Sequence, residues 1–264
     1  VVDGKGMKMS KSSGNIISPE EILKKYGADI LRLWVASSDY AEDLRIDHSI
    51  LEQHAESYRK IRNTFRFILG NLKDDFSLKD FKKIKYDDFP ELEKLILHKL
   101  FILNIEIANN LKNYNFHKLQ KDLLNFCALD LSSFYFDIRK DVLYCDDLNS
   151  KKRKSCVALL NMVLECLIKW YAPVLSFTTE EISELAQKDK KTSIHEENFP
   201  TIPNNWKNDA LSKKWEKLLN VRQQVNIAIE EKRSSKMIGS SLEADVEITL
   251  PKCICFFIYG SGKF

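Results

Sequence analysis

Apolar residues recur at helical spacing along most of this 264-residue chain, and the pattern predicts a mainly α-helical protein. One long helix is predicted over residues 49–72, where apolar positions line one face and Gly70 lies close to the end. The other predicted helices cover residues 91–114, 115–126 with a continuation to 143, 150–171, 178–187 and 209–236. Several amphipathic helices joined by modest loops favour an antiparallel bundle.

Two segments interrupt this helical pattern. Residues 188–208 are polar and contain Pro200 and Pro203, which predicts an irregular connection with Trp206 as a packing anchor. Residues 246–250 alternate apolar and polar side chains. This alternation is typical of a half-buried strand and predicts a short β segment near the C-terminus.

The stretch with the most informative chemistry precedes the helices. Residues 8–15 read Lys-Met-Ser-Lys-Ser-Ser-Gly-Asn, and Gly4, Gly6 and Gly14 bracket the lysines. Such a segment suits a mobile loop that closes over a polyphosphate, because lysine carries a compact charge on a flexible stem. A solvated loop would explain an isolated pair of lysines. Five specified residues followed by Gly-Asn are harder to obtain by chance.

A helix is predicted directly after this loop. Ser18 suits the N-cap position, Pro19 the first helical position, and Glu21 the other half of a capping box. The loop therefore leads into a well-marked helix start.

Residues 8–15 resemble the second signature motif of the class I aminoacyl-tRNA synthetases. Residues 26–40 and 58–72 resemble the isoleucyl-tRNA synthetases of the bacterial type more than the valine, leucine or methionine enzymes. The similarity continues in order through residues 125–127, 130–135, 143–146, 172–175 and 238–244. The resemblance therefore extends over residues 1–250.

This resemblance implies three parts. Residues 1–48 would end a class I catalytic domain. They contain residues 8–15, named the Lys-Ser loop below, and a connector that contacts the tRNA stem. Residues 49–208 would form the helical anticodon-binding domain, and residues 209–264 a truncated C-terminal helix and short β segment. The complete ligase would use ATP with Mg²⁺ to activate isoleucine and would transfer it to tRNA(Ile).

The resemblance also implies roles for single residues. Lys11 would be the catalytic residue, which stabilises the negative charge that accumulates on the leaving pyrophosphate. Contacts to the ATP phosphates are expected from Lys8, Ser10, Lys11 and Ser12. Gly14 and Asn15 would shape the turn into the following helix.

The first signature motif of the same family, a His-x-Gly-His sequence, is not present. The five histidines stand in other contexts, and no βαβ pattern precedes the loop. We therefore expect a C-terminal fragment that starts just before the Lys-Ser loop and is inactive alone. Two alternatives stay open, a fragment of a valyl-tRNA synthetase and a stand-alone tRNA-binding helical module without catalysis.

Basic residues cluster in three places, although the net charge of +3 is too small to argue for nucleic acid by itself. Arg59, Arg62 and Arg66 are spaced by three and four and so share one helix face. The second cluster, at a predicted helix start, consists of Lys151, Lys152, Arg153 and Lys154. The third and weakest candidate consists of Lys232, Arg233 and Lys236. The first two are candidate contacts to tRNA phosphates, with solvated helix faces as the alternative.

The six cysteines do not predict a metal site in this chain. Cys253 and Cys255 are separated by one residue and have no second pair, which is the wrong spacing for structural zinc. The resemblance allows a zinc in a further C-terminal element that would follow this chain. No apolar run approaches a membrane span, so no membrane contact is expected. The resemblance implies a cytoplasmic monomer.

Overall fold

The computed structural model describes residues 1–72, 84–186, 192–240 and 243–249. The chain divides into two compact units, Val1–Lys207 and Asn208–Phe264. Helices dominate the described part of both units, which confirms the predicted mainly α-helical fold. Within the same residues, no helix is both long and apolar enough to cross a membrane.

The first unit begins with a small sheet and two short helices. Strand β1 (Val2–Asp3) pairs in parallel with β2 (Arg45–Ile46). Helices α1 (Pro19–Tyr26) and α2 (Ala28–Ser37) lie between the two strands in sequence and pack against each other. The sheet therefore brings the start of the chain next to the segment that follows α2.

The start of α1 follows the capping signals in the sequence. The backbone N–H of Glu21 donates to the Ser18 hydroxyl at 3.2 Å, so the predicted N-cap is confirmed. The Glu21 carboxylate lies 3.5 Å from His48 Nε2, so the side chain of Glu21 is directed toward His48 rather than back toward the cap. Gly27 separates α1 from α2 with a φ of 87°, a value that glycine adopts at little cost.

The rest of the first unit is a helical bundle. Its elements are α3 (His48–Leu72), α4 (Glu91–Lys112), α5 (Phe116–Asn125), a π-helical segment (Phe126–Phe136), α6 (Asp137–Cys145), α7 (Lys151–Tyr171) and α8 (Ser176–Ala186). Short 3-10 turns cover Tyr86–Asp88, Ile194–Glu196 and Asn204–Trp206. The last of these turns packs against α4.

Two cores hold the first unit together. In the bundle, α3 packs against α7 and the π-helical segment, and the Phe65 and Tyr171 rings meet edge to face with centroids 6.1 Å apart. Near the N-terminus a smaller core joins buried side chains of α1, α2, β2 and α3, among them Trp34. The helix α2 also packs against α5 and α8, so it connects the two cores.

Residues 116–145 form one continuous helical path with a π-helical middle. Phe126 and Asp137, at the two joints, both keep right-handed helical dihedral angles. Phe134, Tyr135 and Phe136 are buried, so these aromatic residues belong to the core. The sequence predicted this helix and its continuation, but its apolar pattern did not reveal the wider hydrogen-bonding turn.

One predicted helix start and one predicted strand in the C-terminal half were wrong. Helix α8 begins at Ser176 rather than at residue 178, and the Thr179 hydroxyl donates to the Leu175 carbonyl within the first turn. Residues 246–249 form no strand with any described residue, and Val246 and Ile248 are each 49% exposed. A strand requires a partner, and alternation alone does not supply one. The predicted ends at residues 187 and 250 lie outside the described residues, as do Cys253 and Cys255.

The described part of the second unit is mostly one helix, α9 (Asp209–Ser234). Asn208 caps this helix, since its Oδ1 accepts from the Leu211 backbone N–H at 3.0 Å. No residue of α9 is fully buried, and Trp215 is half-buried. The predicted helix over residues 209–236 is confirmed to within two residues of its end.

Candidate functional site

The Lys-Ser loop, residues 8–15, is supported by a hydrogen-bond cluster centred on Asp3. One carboxylate oxygen of Asp3 accepts from the backbone N–H groups of Lys5 at 3.0 Å and Met7 at 2.8 Å. The other oxygen accepts from Asn15 Nδ2 at 2.9 Å. These donors, with Asn15 first, hold the pKa of the Asp3 carboxyl below its ordinary value. Asp3 is therefore an anionic acceptor at neutral pH.

Asn15 ties the two ends of the loop together. Its Oδ1 accepts from the Ser10 backbone N–H at 3.0 Å, and its Nδ2 also reaches the Lys8 carbonyl oxygen at 3.4 Å. The preceding Gly14 has a φ of 64°, a left-handed conformation that glycine adopts without steric cost. This is the geometry that a loop-shaping role for Gly14 and Asn15 requires.

An apolar anchor fixes the same loop to the fold. Met9, between the two lysines, is half-buried and packs against the small core around Trp34. Ile17, which follows the loop, packs against the same core. The apolar contacts of Met9 and Ile17 thus fix the two ends of the loop, and the hydrogen bonds of Asn15 connect its backbone.

The two lysine side chains of the loop face solvent. Lys8 and Lys11 are exposed, and neither pairs with a carboxylate of any described residue. The Ser10 hydroxyl lies 3.1 Å from the Ser12 hydroxyl and 2.7 Å from the Ser13 hydroxyl. Two cations without an internal counter-charge, beside a group of hydroxyls, can bind an anion that carries several oxygen atoms.

The arginine stripe, Arg59, Arg62 and Arg66, lies on the exposed face of α3. Arg59 pairs with Glu56 one turn earlier, and Arg62 lies 3.7 Å from Glu181 of α8. Arg66 forms no ion pair with a described residue. Phe65 of the same helix is buried, so α3 has an exposed basic face and a packed apolar face.

The second basic cluster splits in two. Lys151 and Lys152 are exposed at the start of α7. Arg153 and Lys154 are half-buried and bond to the preceding loop, where Arg153 Nη1 donates to the Asp146 carbonyl and Lys154 Nζ to Asn149 Oδ1. Two of the four side chains thus stabilise the loop before α7, which leaves Lys151 and Lys152 as the freer cations.

Sequence reasoning missed two residues that support the loop, Asp3 and Met9. The Asp3-Gly4 pair is a turn signal, because aspartate side chains accept hydrogen bonds from the backbone a few residues later. Gly4 is also required by packing, since a Cβ at this position would lie 2.0 Å from the Asp47 carboxylate. The contact of Met9 with the core has no comparable local signal, because its partners come from distant parts of the sequence.

Known families match both parts of the chain. A family model described as the anticodon-binding domain of tRNA ligase matches residues 93–248. The chain belongs to this tRNA ligase family. A second model, described as tRNA synthetases class I (I, L, M and V), matches residues 1–47, which contain the Lys-Ser loop. The loop and the bundle therefore match two parts of the same group of enzymes.

Similar proteins include three bacterial proteins named isoleucine–tRNA ligase. The one from Pelagibacter ubique is 61% identical over 96% of this chain and 28% of its own length. Those from Agrobacterium fabrum and Geobacter sulfurreducens are 46% and 42% identical, over 92% and 98% of this chain. These matches cover 25% and 28% of the two relatives. This chain thus spans little more than a quarter of the curated relatives that it matches.

The fold is also similar to that of a solved structure. It is the crystal structure of the ternary complex of Agrobacterium radiobacter K84 agnB2 LeuRS, tRNA and LeuAMS. The TM-score is 0.60 at 19% sequence identity, over 78% of this chain and 23% of that one. At this identity the similarity supports the helical architecture.

Proposed function

We propose that this chain is part of an isoleucine–tRNA ligase, in which it supplies the ATP-phosphate loop and the tRNA-binding bundle. One observation carries the proposal. Lys8 and Lys11 stand exposed, without an ion pair to any described residue, on a loop fixed by Asp3 and Asn15, in the same chain as the anticodon-binding family match. A solvated surface loop would not require this internal hydrogen-bond support.

In the proposed reaction, the isoleucine carboxylate attacks the α-phosphorus of ATP, and pyrophosphate leaves. Negative charge grows on the leaving group as its bond breaks, and a positioned ammonium group stabilises that charge. Lys11 is our first choice for this role, because Asn15 and Met9 fix the backbone on either side of it. Lys8, Ser10 and Ser12 bind the phosphates or support the loop.

ATP would arrive with Mg²⁺, whose charge adds to that of the lysines. The described residues contain no group of three or more His, Cys, Asp or Glu side chains that could hold a metal ion. In this proposal residues 1–47 contribute cations and hydroxyls to the ATP phosphates, and the protein ligands of the ion need not lie in this chain.

The tRNA side of the proposal rests on the basic faces of the bundle. Arg59, Arg62 and Arg66 form an exposed stripe of guanidinium groups, which bind phosphate through several N–H donors each. Lys151 and Lys152 are the second choice, since their two neighbours already bond to the protein. A cytoplasmic, monomeric ligase is part of the same proposal.

Isoleucine is the preferred amino acid, because each of the three relatives reported above is named for it. Those names do not favour the valine-specific alternative. A stand-alone tRNA-binding module differs from a ligase in its use of ATP. Whether the Lys-Ser loop acts on ATP therefore separates these two possibilities.

The proposal can be tested by segment exchange. The matching segment of the Pelagibacter ubique relative is replaced by this chain, and isoleucine-dependent ATP–pyrophosphate exchange is measured in the chimera and its parent. We expect activity in the chimera and none in the 264-residue chain alone. The 264-residue chain should also bind a tRNA(Ile) transcript more tightly than a tRNA(Val) transcript. A folded but inactive chimera, together with intact tRNA binding, would favour the stand-alone module.

A further inference from the structure

A line of hydrogen bonds runs from the arginine stripe into the fold. Arg62 Nη1 donates to the Tyr58 hydroxyl oxygen at 3.0 Å. The Tyr58 and Thr178 hydroxyl oxygens lie 2.9 Å apart, and the Thr178 hydroxyl donates to Asp29 Oδ2 at 2.6 Å. Asp29 is 8% exposed and Thr178 is 4% exposed. The line therefore has an exposed cation at one end and a buried carboxylate at the other.

Hydrogen-bonding capacity fixes the direction of every bond in this line. The Asp29 carboxylate accepts and cannot donate, so the single proton of the Thr178 hydroxyl is committed to it. The Tyr58 hydroxyl must then donate to Thr178, which leaves the tyrosine oxygen as an acceptor. A guanidinium group has donors and no acceptor, so Arg62 completes the sequence. Every hydrogen bond of the line is therefore donated in the same direction, from Arg62 toward Asp29.

The carboxylate end is itself held firmly. Asp29 Oδ2 accepts from the Thr178 backbone N–H at 2.8 Å, and Oδ1 accepts from the Phe177 backbone N–H at 3.3 Å and from Arg32. Arg32 Nε in turn donates to the Val174 carbonyl at 2.8 Å. Asp29 thus joins α2 to the first turn of α8, and the acceptor offered to Arg62 has a fixed position.

We propose that Asp29, Thr178 and Tyr58 are positioning residues that hold the Arg62 guanidinium ready for a tRNA phosphate. Without the tyrosine acceptor, Arg62 keeps Glu181, at 3.7 Å, as its partner among the described residues. That carboxylate competes with a phosphate for the same donors, whereas the neutral tyrosine oxygen occupies one donor and orients the rest. The inference rests on the proposed function, because it requires that the stripe binds tRNA.

The test uses the 264-residue chain and a tRNA(Ile) transcript, with binding measured over a range of salt concentrations. Arg62→Gln should weaken binding and flatten the slope of log K against log salt by roughly 0.7–0.9. Tyr58→Phe should weaken binding by roughly two- to tenfold, since the guanidinium must be ordered on binding. Thr178→Val should act in the same direction, because it removes the group that orients the tyrosine hydroxyl.

The decisive measurement is the Tyr58→Phe and Arg62→Gln double variant. If Tyr58 acts through Arg62, the double variant binds tRNA as weakly as Arg62→Gln alone. Tyr40→Phe serves as a control, because its hydroxyl donates to the Tyr114 carbonyl elsewhere in the first unit. Helix content and the thermal midpoint are followed in every variant, so that misfolding is recognised.

Failure of the inference differs from failure of the proposed function. The positioning role is overturned if Tyr58→Phe binds tRNA as tightly as the parent chain. It is also overturned if the double variant binds tRNA more weakly than Arg62→Gln by the full effect of Tyr58→Phe. The proposed function survives that result. If Arg62→Gln itself leaves affinity and salt slope unchanged, Arg62 does not contact tRNA and the inference is wrong, whereas Arg59 and Arg66 stay candidate tRNA contacts.

Discussion

Two polar clusters of the first unit differ in burial, in the sequence separation of their hydrogen bonds and in structural role. The cluster of Asp3 and Asn15 is exposed or half-buried, and its hydrogen bonds span at most 12 residues. In the bundle, the fully buried Glu93 accepts two hydrogen bonds from Arg139, both at 2.7 Å, across 46 residues of sequence. The first cluster shapes a loop, whereas the second joins helices.

The buried cluster is completed by two neutral donors. The Tyr135 hydroxyl donates to Glu93 Oε1 at 3.1 Å, and the Cys156 thiol lies 3.3 Å from the same oxygen. Burial raises the pKa of the Cys156 thiol to about 12, so it stays protonated and can donate. Tyr135, Arg139 and Cys156 thus all donate to the Glu93 carboxylate. Loss of this carboxylate should affect stability, while loss of a loop residue should affect activity.

The largest expected effect follows from this dependence. Glu93→Gln leaves the Arg139 charge buried without its partner and should lower the free energy of unfolding by about 3–5 kcal/mol. Denaturant unfolding followed by the helical circular dichroism signal measures the loss. The control is Lys140→Gln, which removes an exposed ion pair with Asp137 and should change stability little. Equal stability of Glu93→Gln and the parent chain would show that the buried pair is not a structural link.

The second expected effect belongs to the loop and to activity. Lys11→Ala in the chimeric ligase should slow isoleucine-dependent ATP–pyrophosphate exchange mainly through kcat, by about 2.7–4 kcal/mol in the barrier. Unfolding stability should stay unchanged, because Lys11 is exposed and forms no ion pair with a described residue. Lys5→Ala, an exposed lysine of the same segment outside the motif, is the control. An unchanged exchange rate would remove Lys11 from the proposed chemistry.

A smaller effect is expected from Asn15→Ala, which preserves both lysines and loosens their support. The substitution removes the hydrogen bonds to Asp3 and from Ser10, and exchange should fall by about tenfold. Asn15→Asp should not restore activity, since a second carboxylate would face the ionised Asp3. Full activity in Asn15→Ala would mean that the loop holds its shape through Met9 and Ile17 alone.

The sequence was most informative where structure is local. Helical periodicity located α3, α4, α7 and α9 to within a few residues, and Ser18 marked the start of α1. The Lys-Ser loop was readable because its specified residues are contiguous. The same reasoning failed for the strand at residues 246–249, since pairing depends on a partner that alternation does not identify.

Contacts between distant segments explain what the sequence could not supply. Glu93, Asp29 and Thr178 each lie in a helical stretch where a polar residue is ordinary. The hydrogen bonds that join them to other helices span 42 or more residues. No single-sequence pattern links such positions. The arginine stripe lies between these extremes, because its shared face was predictable while its pairing with Tyr58 and Glu181 was not.

The smallest expected effect concerns this stripe and is best measured as a salt dependence. Replacing Arg59, Arg62 and Arg66 by Gln keeps side-chain length and hydrogen-bonding capacity but removes three charges. The slope of log K against log salt for tRNA binding should then flatten by roughly 0.7–0.9 per lost phosphate contact. A matched control replaces the exposed lysines Lys118, Lys121 and Lys140 by Gln. It removes the same charge from other faces of the bundle and should flatten the slope less. If the two triple variants behave alike, only net charge matters, and Lys151 and Lys152 become the better candidates for the tRNA contact.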